Sequence, residues 1–538
     1  MRRYDYIIVG AGSAGCVLAE RLSADPKNQV LLLEEGQHKD NWLVKMPRGI
    51  GKLLSDTHRV STFEAQINEK QHQLWLRGRM LGGTSSVNGA LWLRGERQTY
   101  DSLMNQGIEG WSWNDMLPCF RSIESHESGK SDLHGDDGPI PVRTHPRRSR
   151  MTDALIASGL VSGLPLKQDV NDGGGEGVGY IQHNIGRDGR RRSAAAAFLA
   201  HARQRPNLTI EAGVRANRFI FEGRRAIAAS CTRQGQVIEY HANREIISCA
   251  GALVSPQLLL HSGIGEARQL RALGINTIAD SPQVGKNLQE HLVLALRFHV
   301  KHWRDSHNRE FGGWRLLRNV LSYLSNGQGI FATGIHEVAA QLREGETWAA
   351  DTRIMYTPFS TKRDNPRCFE ELPGVQLQGF GLYPESRGDI SIVSPDFCTP
   401  PRIRPNYLSA PHDQAMAVAV VRHMRKLMNH PALRDLIIGE TDETASAQTD
   451  EEVLELFRRY GTPGFHAIGT CAMGGTDAVL DSRLRVRGVE GLRVVDCSIF
   501  PHMVSGHTNA PVMAAAWHAA TMILEDNNPK SEDNSGQK

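Results

Sequence analysis

The sequence predicts an α/β fold in which a doubly wound, Rossmann-like dinucleotide-binding domain is interrupted by a second, mainly antiparallel-sheet domain. Three observations carry that expectation. A hydrophobic run at residues 4–9 leads straight into Gly10-Ala11-Gly12-Ser13-Ala14-Gly15, and a second apolar run at 29–33 ends on Glu34. Between about 300 and 465 the pattern changes to alternating, aromatic-containing segments that suit antiparallel strands.

Each element follows from its residues. Gly10 permits the tight turn, Gly12 lets the backbone approach a pyrophosphate, and Gly15 lets the helix expected over 16–22 pack on the strand, with the helix N-terminus and Ser13 facing the negative charge. Glu34, about 20 residues beyond the last glycine, is placed to accept hydrogen bonds from a ribose diol. The loop 78–89 pairs Gly82 and Gly83 with hydroxyl residues, Asn88 and Gly89. Its backbone N–H groups suit phosphate or the polar rim of an isoalloxazine. Residues 245–251 read as another strand-to-turn unit, with a helix over 257–261. Residues 492–496 form a short buried strand with Asp496 at its carboxyl end, so beginning, middle and end share one sheet. In the second domain, 353–356 and 388–393 read as strands of one antiparallel sheet. Asn287-Leu288-Gln289-Glu290 reads as a helix cap, and His291 either faces the cofactor or satisfies a core hydrogen bond. Ala510-Pro511 opens an apolar helix to about 524 that Thr508 or Asn509 caps.

At 538 residues the chain exceeds one ordinary domain. Its 62 basic and 59 acidic side chains leave no nucleic-acid footprint, and the runs 190–192 and 147–148 read as solvated loop arginines. Eight cysteines show no metal-ligand spacing and fit a reducing, cytoplasmic compartment. No apolar window suffices for a membrane span, and the basic start followed by an apolar run is the dinucleotide strand rather than a cleaved signal.

The motifs at 4–15, 78–89, 251–265, 284–292 and 491–496 stand in an order that resembles the glucose-methanol-choline (GMC) family of FAD-dependent alcohol oxidoreductases, in its choline dehydrogenase-like branch. The resemblance spans about 4–525. It implies FAD-binding segments at 1–150, 191–300 and 465–525 and a substrate domain at 151–190 and 301–464, while the polar stretch 526–538, without an apolar period, reads as a disordered tail. It adds Val214 and Pro511 to the cofactor-binding positions. It also makes His466, in Phe465-His466-Ala467, the base that takes the alcohol proton while a hydride passes to flavin N5. The family's histidine-or-asparagine partner falls on Asn509, 43 positions later, with His507 set apart from it. Val87 stands where covalently flavinylated relatives carry histidine, so FAD is expected to be non-covalent. Gly334-Ile335-His336-Glu337 departs from the choline-oxidising pattern, with Glu337 available. The implied activity is oxidation of a primary alcohol to an aldehyde, with electrons passed to a quinone or other carrier. An oxidase using O2 and an FAD-containing lyase are the alternatives. Peripheral association with the inner membrane is compatible with this reading.

Overall fold

In the computed structural model, which describes residues 3–37, 41–344, 350–365 and 368–527, the α/β sheet is assembled from three distant parts of the chain. Strand Arg3–Val9 lies between Val30–Glu34 and Gln236–Ser248, parallel to both. Leu208–Ala212 continues the sheet in parallel beyond Val30–Glu34, and Leu492–Val494 pairs in parallel with the end of Gln236–Ser248. Val30–Glu34 is buried at every position, as a strand covered on both faces must be. The hairpin Arg215–Glu222 and Arg225–Arg233 closes the opposite edge in antiparallel fashion.

Helices Ser13–Leu22 and Asn509–Asn527 pack on each other beside this sheet, and the small residues Ala514, Ala515 and Ala516 are fully buried there. The last helix extends beyond the point where the sequence suggested a tail, because Asp526 pairs with the buried Arg493 at 2.7 Å. The rest of that expected tail, 528–538, lies outside the described residues.

The second sheet is antiparallel throughout, in the order Ile437–Glu440, Leu292–Val300, Gly374–Gly381, Thr352–Thr357, Val338–Leu342, Gly177–Tyr180. Helix Pro411–Met428 covers it closely at Gly379, where a Cβ would sit 2.5 Å from Val420. Two sequence expectations fail here. Strand Asp389–Ser391 joins a separate four-stranded sheet with Arg402–Arg404 and the hairpin Val60–Gln66, His72–Gly78, since alternation identifies a half-buried strand but not its partner. No helix follows Asn287, whose φ of 59° is left-handed and whose amide instead donates to the Pro501 carbonyl at 2.9 Å. All eight cysteines are unpaired. Among the described residues no helix is long and apolar enough to cross a membrane.

Candidate active site

A cavity of about 490 Å3 begins at the carboxyl ends of the parallel strands, at Val9 and Leu33, and reaches the antiparallel sheet at Val293, Met355 and Phe380. At the first end the glycine turn is built as its spacing predicts. Gly10 has φ 105°, and a Cβ on Gly15 would lie 1.9 Å from the Gly10 carbonyl oxygen, so the helix closes onto the turn only with glycine there. A Cβ on Gly12 would meet nothing within 4 Å: the space over it is cavity. Gly82, at φ 88°, donates its N–H to the Ala11 carbonyl at 2.7 Å and so joins the second loop to the first. A Cβ on Gly83 would stand 2.7 Å from the Gly12 Cα.

The acids at this end hold the backbone as well as facing the cavity. Glu34 accepts the Ala11 N–H at 3.0 Å and the Gly36 N–H at 2.9 Å, one on each oxygen, and burial pushes its pKa up to about 7. Each oxygen keeps a lone pair, and Val214, whose N–H bonds the Glu34 carbonyl at 2.9 Å, lies beside it. Asp496 accepts Gly251 N–H and Ser498 N–H, both at 2.8 Å, together with the Ser255 hydroxyl at 2.5 Å. Asn88 and Gly89 line the cavity, as does Val87. The Asn88 Oδ1 is engaged by Arg191 at 2.8 Å. Gly15, Gly82 and Pro511 lie behind the wall and shape it.

Two helix N-termini meet here. Ser13 Oγ donates to Asn509 Oδ1 at 2.9 Å, while Asn509 Nδ2 is buried with no partner. An orphaned donor, a glycine with open space above it and two positive helix ends form a cradle that fits the pyrophosphate and ring carbonyls of FAD.

At the other end the chain segments 287–293 and 462–469 run antiparallel. Gly464 N–H bonds the His291 carbonyl at 2.8 Å and Ile468 N–H bonds the Gln289 carbonyl at 3.0 Å. That pairing sets His291 Nδ1 2.9 Å from His466 Nδ1. His507 packs edge-on against His466, with ring centroids 4.6 Å apart, and both rings line the cavity. Glu290 lies beneath them, accepting the N–H of His466 at 2.7 Å and of His291 at 2.9 Å.

Burial lowers the pKa of all three histidines: His291 to about 4, His466 and His507 well below the usual imidazole range, with neighbouring histidines and Arg353 adding to the effect. Neutral rings carry one proton each, and the partners decide where. His291 Nε2 lies 3.0 Å from the Leu382 carbonyl, which can only accept, so Nε2 carries the proton and Nδ1 accepts. His466 Nδ1 must then donate, and its Nε2 keeps a lone pair toward the cavity.

The structure thus brings His466 and His507 together and sets Asn509 against Ser13, where the resemblance implied Asn509 as the partner of His466. A spacing count locates a position along the chain but not which of two nearby side chains turns inward. The signal for His291 was its motif, Gln289-Glu290-His291, but its partner could be found only in space.

Residues 4–293 and 384–516 match the N-terminal and C-terminal sequence models of the GMC oxidoreductase family. The chain is 34% identical to an oxygen-dependent choline dehydrogenase of Escherichia coli over 97% of this chain and 95% of that one. Among solved structures, pyridoxine 4-oxidase from Mesorbium loti superposes with a TM-score of 0.87 at 28% identity, covering 98% of this chain and 100% of that one. An FAD-dependent oxidoreductase from Chaetomium thermophilum does so with a TM-score of 0.87 at 25% identity and the same coverage. The glycine cradle, the discontinuous parallel sheet and the matches along both halves of the chain agree, and place it in the GMC oxidoreductase family, as an FAD-binding oxidoreductase.

Proposed function

We propose that this protein oxidises a primary alcohol lacking a fixed positive charge to the aldehyde, with FAD held non-covalently and electrons passed on to a quinone or another carrier. The observation that carries this reading is the histidine trio, because its hydrogen bonds leave one unprotonated nitrogen on the cavity wall. Bound FAD supplies the two-electron acceptor that alcohol oxidation requires. His466 Nε2 takes the hydroxyl proton as the carbonyl forms, and His291 holds the His466 ring in the tautomer able to do so. His507 Nδ1 is buried without a partner, which favours the proton on Nε2, where it donates to the substrate oxygen. Asn509 is reassigned from substrate to cofactor, since its amide oxygen is tied to Ser13 at the glycine turn and its Nδ2 is left without a partner there.

The absence of a counter-charge supports the substrate class. The carboxylates on the cavity wall, Glu34, Glu35 and Asp496, belong to the parallel-sheet end, and among the described residues none lines the histidine end beside Leu91, Ile335, Met355 and Phe380. Glu337 is buried outside that lining, 3.7 Å from the Arg48 guanidinium. A quaternary ammonium finds no anion there.

Anaerobic titration of the yellow protein with benzyl alcohol, linear primary alcohols and choline tests the proposal. Neutral alcohols should bleach the flavin band and choline should not. Bleaching by choline at lower concentration than by any neutral alcohol would overturn the substrate class, and no bleaching by any alcohol would favour a lyase. Admitting air to the bleached protein then tests the acceptor: slow return in air with rapid return on adding a soluble quinone supports a carrier, and prompt return in air identifies an oxidase.

A further inference from the structure

Helix Gly313–Asn326 is mounted with its apolar face outward. Trp314 is 67% exposed, Leu317 60%, Leu321 56% and Leu324 59%, and their spacing puts all four on one stripe. The face turned to the protein packs Val320 and the Tyr323 ring on Met46, Ile330 and Phe331 and is otherwise polar. Asn319 donates to the Glu310 carbonyl at 3.1 Å, Arg315 reaches Glu310 at 3.4 Å, and the Tyr323 hydroxyl donates to the Lys45 carbonyl at 3.1 Å. Water alone selects the opposite orientation, so the exposed stripe calls for an occupant.

The charges around the stripe identify that occupant. Residues 301–326 hold five lysines and arginines against two acids. Both acids are paired, Asp305 with Arg150 at 2.7 Å and Glu310 with Arg315 and Arg318 at 3.4 and 3.2 Å. Arg318 lies 5.1 Å from the Trp314 ring centroid, along the edge of the stripe. The loop bearing Arg187 and Arg190 adjoins the helix end, where a Cβ on Gly189 would lie 2.0 Å from the Gly327 carbonyl oxygen. Exposed Trp42 adjoins it on the flank, three residues before Lys45. A fourteen-residue helix is too short to span a bilayer but is long enough to lie in its interface, with tryptophan and leucines among the acyl chains and arginines at the headgroups.

We propose that this helix docks the protein on an anionic lipid surface. The surface adjoins the active-site cavity: Met46 and Phe331 form the cluster beneath the helix, and Ile50 and Ile335, four residues on from each, line the cavity wall. A second copy of this chain is the competing occupant, disfavoured by the repulsion of two basic rims.

FAD-loaded protein sedimented with phosphatidylglycerol-containing phosphatidylcholine vesicles, and with pure phosphatidylcholine vesicles, tests the inference. Native protein should bind the anionic vesicles at least about tenfold more strongly, and added salt should weaken that binding. Leu317→Glu with Leu321→Glu should abolish binding while leaving the thermal midpoint, FAD content and turnover of a soluble alcohol unchanged. Arg309→Gln with Arg318→Gln should reduce binding to the phosphatidylcholine level. Native protein remaining in the supernatant with both vesicles, leucine variants that bind like the native chain, or a concentration-dependent native dimer that the leucine variants break would each overturn it.

Discussion

Ser13 Oγ donates to Asn509 Oδ1 at 2.9 Å, joining the first residue of the first helix to the first residue of the last across 496 positions of sequence. The bond fixes two helix N-termini at one point of the cavity wall and spends the asparagine's acceptor there, leaving its amide donor for a ligand. Asn509→Ala should therefore weaken FAD retention by roughly tenfold, the loss of one hydrogen bond of about 1 kcal/mol or more. The rate of flavin reduction per bound FAD should change little. Normal FAD affinity with a large loss in that rate would return Asn509 to the substrate.

The glycine turn separates space kept for the cofactor from space the fold itself fills. Gly12→Val points a side chain into open cavity, so the protein should fold and lose FAD. Gly15→Val drives a Cβ to within 1.9 Å of the Gly10 carbonyl oxygen and should lower the unfolding midpoint itself. Comparing thermal midpoints of the two cofactor-free variants distinguishes them. Acid precipitation of the native protein should release all its yellow colour, since Val87 offers no nucleophile.

His466→Ala should keep FAD and lose on the order of 10²- to 10⁴-fold in flavin reduction. With His466 as the proposed base, the neutral imidazole is the active form, so the rate should fall as pH drops through the pKa of His466. Burial, with His507, His291, Arg77 and Arg353 nearby, holds that pKa well below the ordinary value. Stopped-flow rates should thus be flat through neutrality and decline only in acid. A midpoint at or above about 6.5 would contradict the buried site.

On the proposed mechanism His291 acts through His466 rather than on substrate. His291→Ala removes the acceptor for the His466 Nδ1 proton and frees the ring to present N–H to the cavity, so reduction should slow by about tenfold or more with KM little changed. His291→Gln offers a carbonyl oxygen in its place and should restore much of the rate. Equal loss in both variants would indicate packing alone, such as contact with Phe380 at 4.6 Å between centroids.

Glu290 carries a pH-dependent stability term of unusual sign. Burial raises its pKa to about 7, with Arg77 and the backbone N–H groups of His466, His291 and Ala467 opposing the shift. Unfolded, the group titrates near about 4.3. Between those values the folded protein binds more protons than the unfolded chain, so stability falls as pH rises from about 4.3 to about 7 and is level above. Glu290→Gln lacks this term. Its stability relative to native should rise across that window by a few kcal/mol at most, on the order of the shift. Parallel profiles for the two proteins would mean that Glu290 is already ionised in the folded protein across that window.

What the sequence determined by itself is local. The glycines at 10, 12 and 15, the apolar run before them and Glu34 nineteen residues past Gly15 specify a dinucleotide turn because each acts on backbone within one βαβ unit. His466, which lines the cavity, was singled out for a similar reason, standing inside a motif. Tertiary structure decided everything that depends on which strand pairs with which. Residues 388–393 alternate like a strand of the second sheet, yet their backbone hydrogen bonds go to Arg402–Arg404 on one side and to Gly285 and Leu288 on the other. Glu290 looked like a helix-capping acid, but it stands two residues before strand Leu292–Val300 and its carboxylate accepts the backbone N–H of His466. His507 and Asn509 sit two residues apart, and only the helix that begins at Asn509 turns one ring toward His466 and the other side chain toward Ser13. Helix Gly313–Asn326 falls in the stretch whose alternating pattern suggested strands. Amphipathicity fixes that one face is apolar, and packing against Glu310 and Lys45 fixes that it faces outward.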